Sequence, residues 1–188
     1  MTSPRSRPPT PIGTKPRLAL ALLLGTALRA SDVVRVGRSH VRNGTITGIV
    51  QQKTGAALPP IPICADLAAA INAAAPTEHV VFLLSERGRS FTAKGFGEWF
   101  SSQCERVGLK GLSAHGLRKA ACRRLAEAGC SANEIAAISG HASLNEVARY
   151  TRAADQARMA RNAVARMNQQ RELANLDAES GKRDEKRR

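Results

Sequence analysis

The chain has 188 residues, 43% of them hydrophobic, enough for one domain with a real core plus tails. Its 29 Lys and Arg against 15 Asp and Glu give a net charge of +14; residues 168–188 hold 6 of the basic and 5 of the acidic groups, leaving 23 and 10 in residues 1–167. A body this basic argues for a polyanionic partner, nucleic acid ahead of an anionic membrane, and the four cysteines (Cys64, Cys104, Cys122, Cys130) lack the spacing of a zinc site or disulfide framework, which fits a reducing cytoplasm.

Residues 1–14, "MTSPRSRPPTPIGT", have the composition of a disordered lead. "PRLALALLLGTALR" predicts a mostly buried helix. Arg5, Arg7, Lys15 and Arg17 ahead of "LALALLLGTAL" imitate a secretory signal, but the run stops at Arg29 with no small-x-small site and is too short to cross a bilayer. "ASDVVRV" offers Ser31 as the N-cap of a short helix with Asp32 in its first turn. "GTITGIVQQKTGAALPPIPI" changes to a β-branched period and predicts a hairpin turning at Lys53-Thr54-Gly55. "ADLAAAINAAA" reads as a helix, "HVVFLL" as a short strand, and "TAKGFGEWFSSQCERVG" as an amphipathic helix with Phe96, Trp99 and Phe100 on its apolar side and Gly108 at its end. "SAHGLRKAACRRLAEAG" is bounded by Ser113 and Gly129, "SANEIAAISG" by Ser131 and Gly140. Ser143 then caps "SLNEVARYT", and "AADQARMARNAVARM" forms another helix before a charged, weakly ordered tail at 168–188. The class is mainly α with a small antiparallel β-sheet (α+β), in one domain over 15–167.

Several residues along this frame carry candidate chemistry. His115 and Arg118, three apart on a helix, share a face and make a cradle for a phosphate, since guanidinium binds two oxygens and imidazole adds a third hydrogen bond. Arg29 ends an apolar helix, where a guanidinium is costly without a partner, and Asp32 follows it as a surface ion-pair partner or as a positioning carboxylate. Lys53 lies at the hairpin tip. His141 follows a helix-ending glycine, and Tyr150, nine residues on, is the only tyrosine of the chain. An unassisted phenol has a pKa of about 10 and is a poor nucleophile, so a tyrosine attacking a phosphodiester needs cations around it, and these make a metal or cofactor unnecessary.

The ordered series Arg29 with Asp32, Lys53 in "QQKTG", His115 and Arg118 in "SAHGLRKA", His141 and Tyr150 in "LAEAGCSANEIAAISGHASLNEVARYTRAAD" resembles the catalytic domain of the tyrosine recombinases, the phage integrase family, over roughly residues 15 to 165. The resemblance implies that Arg29 and Arg118 grip the scissile phosphate, His115 and His141 hydrogen-bond it, Lys53 protonates the leaving 5′ oxygen, and Tyr150 attacks to form a 3′-phosphotyrosine, with Asp32 in support. It implies a site-specific recombinase in the bacterial cytoplasm, acting on double-stranded DNA from a mobile element, without cofactor, metal or membrane. The assembly would be a homotetramer on DNA or a mixed one with full-length recombinase. Family members carry a helical DNA-binding domain ahead of the catalytic one, so the chain is expected to be N-terminally shortened. A non-productive DNA-binding remnant and a type IB topoisomerase-like nicking activity stand as the alternatives. Gly25-Thr26-Ala27 replaces the aromatic-Thr-Gly of relatives, which predicts a hole behind Arg29.

Overall fold

The computed structural model describes residues 11–74 and 79–185; the disordered lead expected over 1–14 falls mainly on residues 1–10, outside the described residues. A helix apolar on every side is buried on every side. α1 (Lys15–Thr26) follows that rule, with Leu18, Ala19, Ala21, Leu22, Leu23 and Thr26 all buried. It packs against α3 (Ala65–Ala73), α4 (Ala93–Arg106) and α5 (Ala114–Glu127). α6 (Ala132–Ser139) and α7 (Leu144–Glu185) close the other side of α5.

The first helix stops three residues earlier than expected. Ala27 takes the left-handed conformation at φ 51° and ψ 22°, uncommon for a residue with a Cβ. Arg29 therefore falls outside α1 and becomes the extended residue that precedes α2 (Ala30–Val33), so Ser31 lies inside that helix and is not its cap.

The sheet is three-stranded and antiparallel, in the order β1 (Val41–Arg42), β2 (Thr45–Ile46), β3 (Ile61–Pro62), with Ile46 opposite Ile61. The hairpin that carries Lys53 joins β2 to β3 and is prolonged by a bridge between Val50 and Ala57. β1 and its turn lie outside the hairpin that the sequence predicts. Asn43 and Gly44 supply the two positive φ values, 48° and 72°, that a two-residue hairpin turn needs.

"HVVFLL" is not a strand. Among the described residues its only ladder contact is an isolated bridge between Leu84 and Ser90. The segment instead lies over Gly37, where a Cβ would overlap the Val80 carbonyl, and Phe82 N–H donates to Val36 O. The capped helices follow the sequence more closely: Ser113 accepts from Gly116 N–H, and Ser131 with Glu134 forms a reciprocal capping box. α7 joins what the sequence divides into two helices, and it continues as helix through the charged segment from 168 to Glu185.

Two apolar clusters result. The larger gathers α1, α3, α4 and the sheet around Phe96, Leu22 and Ile61; the smaller gathers Ala27, Ala121, Cys122, Ala126, Ile135 and Val147, with Tyr150 packed against it. Ala27, at the end of α1, belongs to the second cluster, so the corner that bears Arg29 lies against the helices that bear Arg118 and Tyr150.

Candidate active site

Arg118 projects from the first turns of α5 and is 4% exposed. Its Nη1 donates to Ala27 O at 2.6 Å and to Ser139 O at 2.9 Å, and its Nη2 lies 3.3 Å from His141 Nε2. Two helix ends thus offer orphan carbonyls to one guanidinium: the left-handed stop after α1 and the last turn of α6. Of the five N–H groups three are engaged, which leaves Nε–H and one Nη2–H, the side-on fork suited to two oxygens of one anion.

Arg29 and Asp32 do not form the surface pair that their spacing allows. Asp32 is 1% exposed, and among the described residues no ion pair joins it to Arg29. Its Oδ1 accepts from Gln52 N–H at 2.9 Å, one residue before Lys53, while its Oδ2 is buried without a partner. Arg29 likewise keeps a buried Nη1 with no hydrogen-bond partner. Burial first, and then the charge of Arg29, pull the Arg118 guanidinium below its ordinary pKa. The two cations therefore lie close enough to repel, and an anion between them would relieve that repulsion.

His141 follows Gly140 and is held by its ring nitrogens: Nδ1 is 2.6 Å from Ser139 Oγ. Burial, then Arg118, lower its pKa against the opposing pull of Glu146; Arg29 and His115 act in the same direction as Arg118. His115 is exposed in the first turn of α5, within electrostatic reach of His141. Tyr150 is half-buried on α7. Burial pushes its phenol above the ordinary value, Cys122 and Glu146 add to this, and Arg118 and Arg149 oppose it. The six expected catalytic residues thus divide into a contacting core of Arg118 and His141, with Arg29, His115 and Tyr150 in electrostatic range of it, and an exposed Lys53.

Lys53 is tied to that core through its neighbours. Gln51, 2% exposed, donates from Nε2 to Gly140 O at 2.8 Å and accepts at Oε1 from Thr54 Oγ1 at 2.7 Å. With Gln52 bound to Asp32, the hairpin tip is fixed on both sides. In the sequence alone a glutamine beside a turn reads as surface, so Gln51 carries no signal of this role there. Gly140 is the other half of this joint: its φ is +68°, and a Cβ there would overlap the Gln51 amide nitrogen and Leu58 Cδ2. Gly140→Ala is expected to lower stability by about 2 to 4 kcal/mol, combining left-handed strain with a displaced buried amide. Thermal unfolding checks this; a variant within about 0.5 kcal/mol of wild type would remove the joint.

The hole expected behind Arg29 does not open at Gly25, where a Cβ would lie 3.1 Å from Leu67 Cδ2 and 3.3 Å from Cys64 Sγ, so neighbouring side chains already fill that space. The groove of about 360 Å³ that Gly25 borders is lined by Arg17, Cys64, Asp66, Ala121 and Arg124 and does not reach Arg29. Thr26 anchors the corner from within, its Oγ1 donating to Leu22 O at 2.6 Å and accepting from Leu28 N–H at 3.3 Å.

A family model described as the phage integrase family matches residues 3–157. Among solved structures, a Tn1549 transposon integrase in complex with transposon right-end DNA is 22% identical, with a TM-score of 0.63, 79% of this chain covered and 59% of that one. A XerA recombinase gives 17% identity, a TM-score of 0.62, and coverage of 73% and 51%. A lambda integrase dimer bound to a core site gives 20% identity, a TM-score of 0.59, and coverage of 73% and 52%. These likenesses show a shared fold, and the chain spans about half the length of the structures it matches. No curated protein matches the chain in sequence. Among the described residues no helix is long and apolar enough to cross a membrane.

Proposed function

This chain belongs to the phage integrase family, and from that premise we propose that it cleaves and rejoins DNA strands through a 3′-phosphotyrosine formed at Tyr150. The observation that carries the reading is the pair of guanidiniums. Arg29 keeps a buried Nη1 without a partner, and Arg118 retains an open side-on fork within range of it. Burying an unpaired guanidinium nitrogen is costly, and a phosphodiester offers the adjacent oxygens that would satisfy both groups.

In the proposed step Tyr150 Oη gives up its proton to solvent water as it bonds to phosphorus. The bond from phosphorus to the 5′ oxygen breaks, and Lys53 Nζ supplies the proton that the departing oxygen takes. Arg29 and Arg118 hold the non-bridging oxygens while charge builds on them, with His115 and His141 as further hydrogen-bond partners. Asp32 supports the site from behind by holding the Lys53 hairpin. The aryl phosphate ester keeps the energy of the broken bond, so a 5′-hydroxyl reverses the step without ATP. The partner is double-stranded DNA, held in a homotetramer or with full-length recombinase, and the net positive body supports its binding.

The test is a pool of nicked duplexes with randomised cores, in which the 5′ fragment beyond the cut diffuses away and cleavage becomes irreversible. The chain is expected to be recovered in a complex that survives denaturant. Binding without adduct would reduce it to a DNA-binding remnant. Relaxation of supercoiled plasmid without strand exchange would point to topoisomerase-like chemistry instead.

A further inference from the structure

Ser139 is fully buried and contributes two groups to the site: its carbonyl accepts from Arg118 Nη1 at 2.9 Å, and its hydroxyl lies 2.6 Å from both Ile135 O and His141 Nδ1. The hydroxyl has one proton. Ile135 O can only accept, so that proton points at the carbonyl, and His141 Nδ1 must donate to the Ser139 oxygen. The other ring nitrogen gives the same answer independently. Arg118 Nη2, 3.3 Å from Nε2, can only donate, so Nε2 must present its lone pair. Glu146 favours the opposite state, since its carboxylate would attract a proton on Nε2. It is 3.9 Å away with a side chain 67% exposed, beyond hydrogen-bond range and screened by water, whereas Arg118 is closer and buried.

We infer that Ser139 is a positioning residue that pins His141 as the Nδ1–H tautomer through its hydroxyl while holding Arg118 through its carbonyl, so that a proton-accepting Nε2 faces the guanidinium. The lowered pKa of His141, from burial and then Arg118, agrees with a neutral ring in this arrangement. On the proposed function, on which this consequence rests, a phosphate seated in the open fork of Arg118 brings negative charge beside His141. The ring then takes up a proton from solvent at Nε2, gives up its contact with Arg118 and becomes the phosphate's hydrogen-bond donor. Resting chain and phosphate-bound chain thus differ by one proton on this ring.

The tautomer is read by nitrogen NMR of the histidine-labelled chain without DNA, His141 being assigned by loss of its signal in His141→Gln. This measurement needs no activity, so it stands or falls apart from the recombinase reading. Wild type is expected to hold Nδ1–H in about tenfold or greater excess over Nε2–H, falling to within about threefold of parity in Ser139→Ala, where the acceptor is gone. Ser139→Thr, which keeps the hydroxyl, should restore the wild-type ratio. A wild-type ring protonated mainly at Nε2 would overturn the inference, as would a ratio in a folded Ser139→Ala chain equal to that of wild type. Should Ser139→Ala unfold, the wild-type spectrum decides alone.

Discussion

Tyr150→Phe is expected to lower formation of denaturant-stable protein–DNA complexes by about 10³-fold or more while changing duplex affinity by less than about threefold. The phenol oxygen is the proposed nucleophile, and the chain has 1 tyrosine, so no neighbour can substitute for it. The ring packs on the smaller apolar cluster with Ala126 and Val147, and phenylalanine preserves that packing. Among the described residues the Tyr150 hydroxyl makes no hydrogen bond that its removal would break, so thermal stability should stay within about 0.5 kcal/mol of wild type. The pH response carries a further sign. Burial first, with Cys122 next, holds the phenol above its ordinary pKa, so the phenolate is scarce at neutral pH and adduct formation by wild type should rise as pH increases. Adduct from Tyr150→Phe at the wild-type rate would remove Tyr150 from the mechanism.

The sequence was most legible where chemistry and local geometry use the same residues. Ser113, Ser131 and Gly140 bound their helices as hydroxyl caps and a left-handed stop do, and "QQKTG" turns a hairpin because a lysine and a glycine tolerate its exposed tip. Legibility failed where long-range contacts overrode local signals. Ala27 terminates α1 in a conformation its side chain disfavours; Arg118, 91 residues later, accepts the strain by binding its carbonyl. "HVVFLL" has strand composition but lies over Gly37 and adds no strand to the sheet. Asn43-Gly44 carries a readable turn signal, but the residues before it, "RSHVR", lack the apolar run that marks a strand.

The same contrast holds within the site. Arginine, histidine and tyrosine in the right order announce a phosphate chemistry, but Gln51 and Ser139 hold those groups in place and look like surface residues in the sequence. Their meaning comes from burial, 2% and 0% exposed, which makes each hydrogen bond obligatory where in water it would be optional. Gln51 couples the Lys53 hairpin to the loop of His141, and Ser139 couples His141 to Arg118. The elements that carry the proposed acid, the anion clamp and the ring that faces it are therefore linked by two uncharged residues, Gln51 through its side chain and Ser139 through its hydroxyl and its carbonyl.

Arg118→Lys is the second large effect. The substitution keeps one positive charge but replaces a planar fork by a single ammonium with three donors. From the α5 backbone that ammonium cannot reach Ala27 O, Ser139 O and His141 Nε2 while also meeting two oxygens of a phosphate, because those acceptors are grouped around the two ends of a guanidinium. Loss of bidentate charge stabilisation should slow adduct formation by about 10² to 10³-fold. The carbonyls left without a donor should also cost stability, about 1 to 3 kcal/mol for each one that remains buried and unpaired. The two effects separate by measurement. Single-turnover cleavage at saturating DNA reads the chemical loss, and thermal unfolding reads the structural one at a temperature well above the assay. A rate within about fivefold of wild type in a folded Arg118→Lys chain would mean that charge alone suffices. The open fork would then be a consequence of how α1, α5 and α6 meet, and Arg29, with its unpartnered Nη1, would have to carry the proposed phosphate grip by itself.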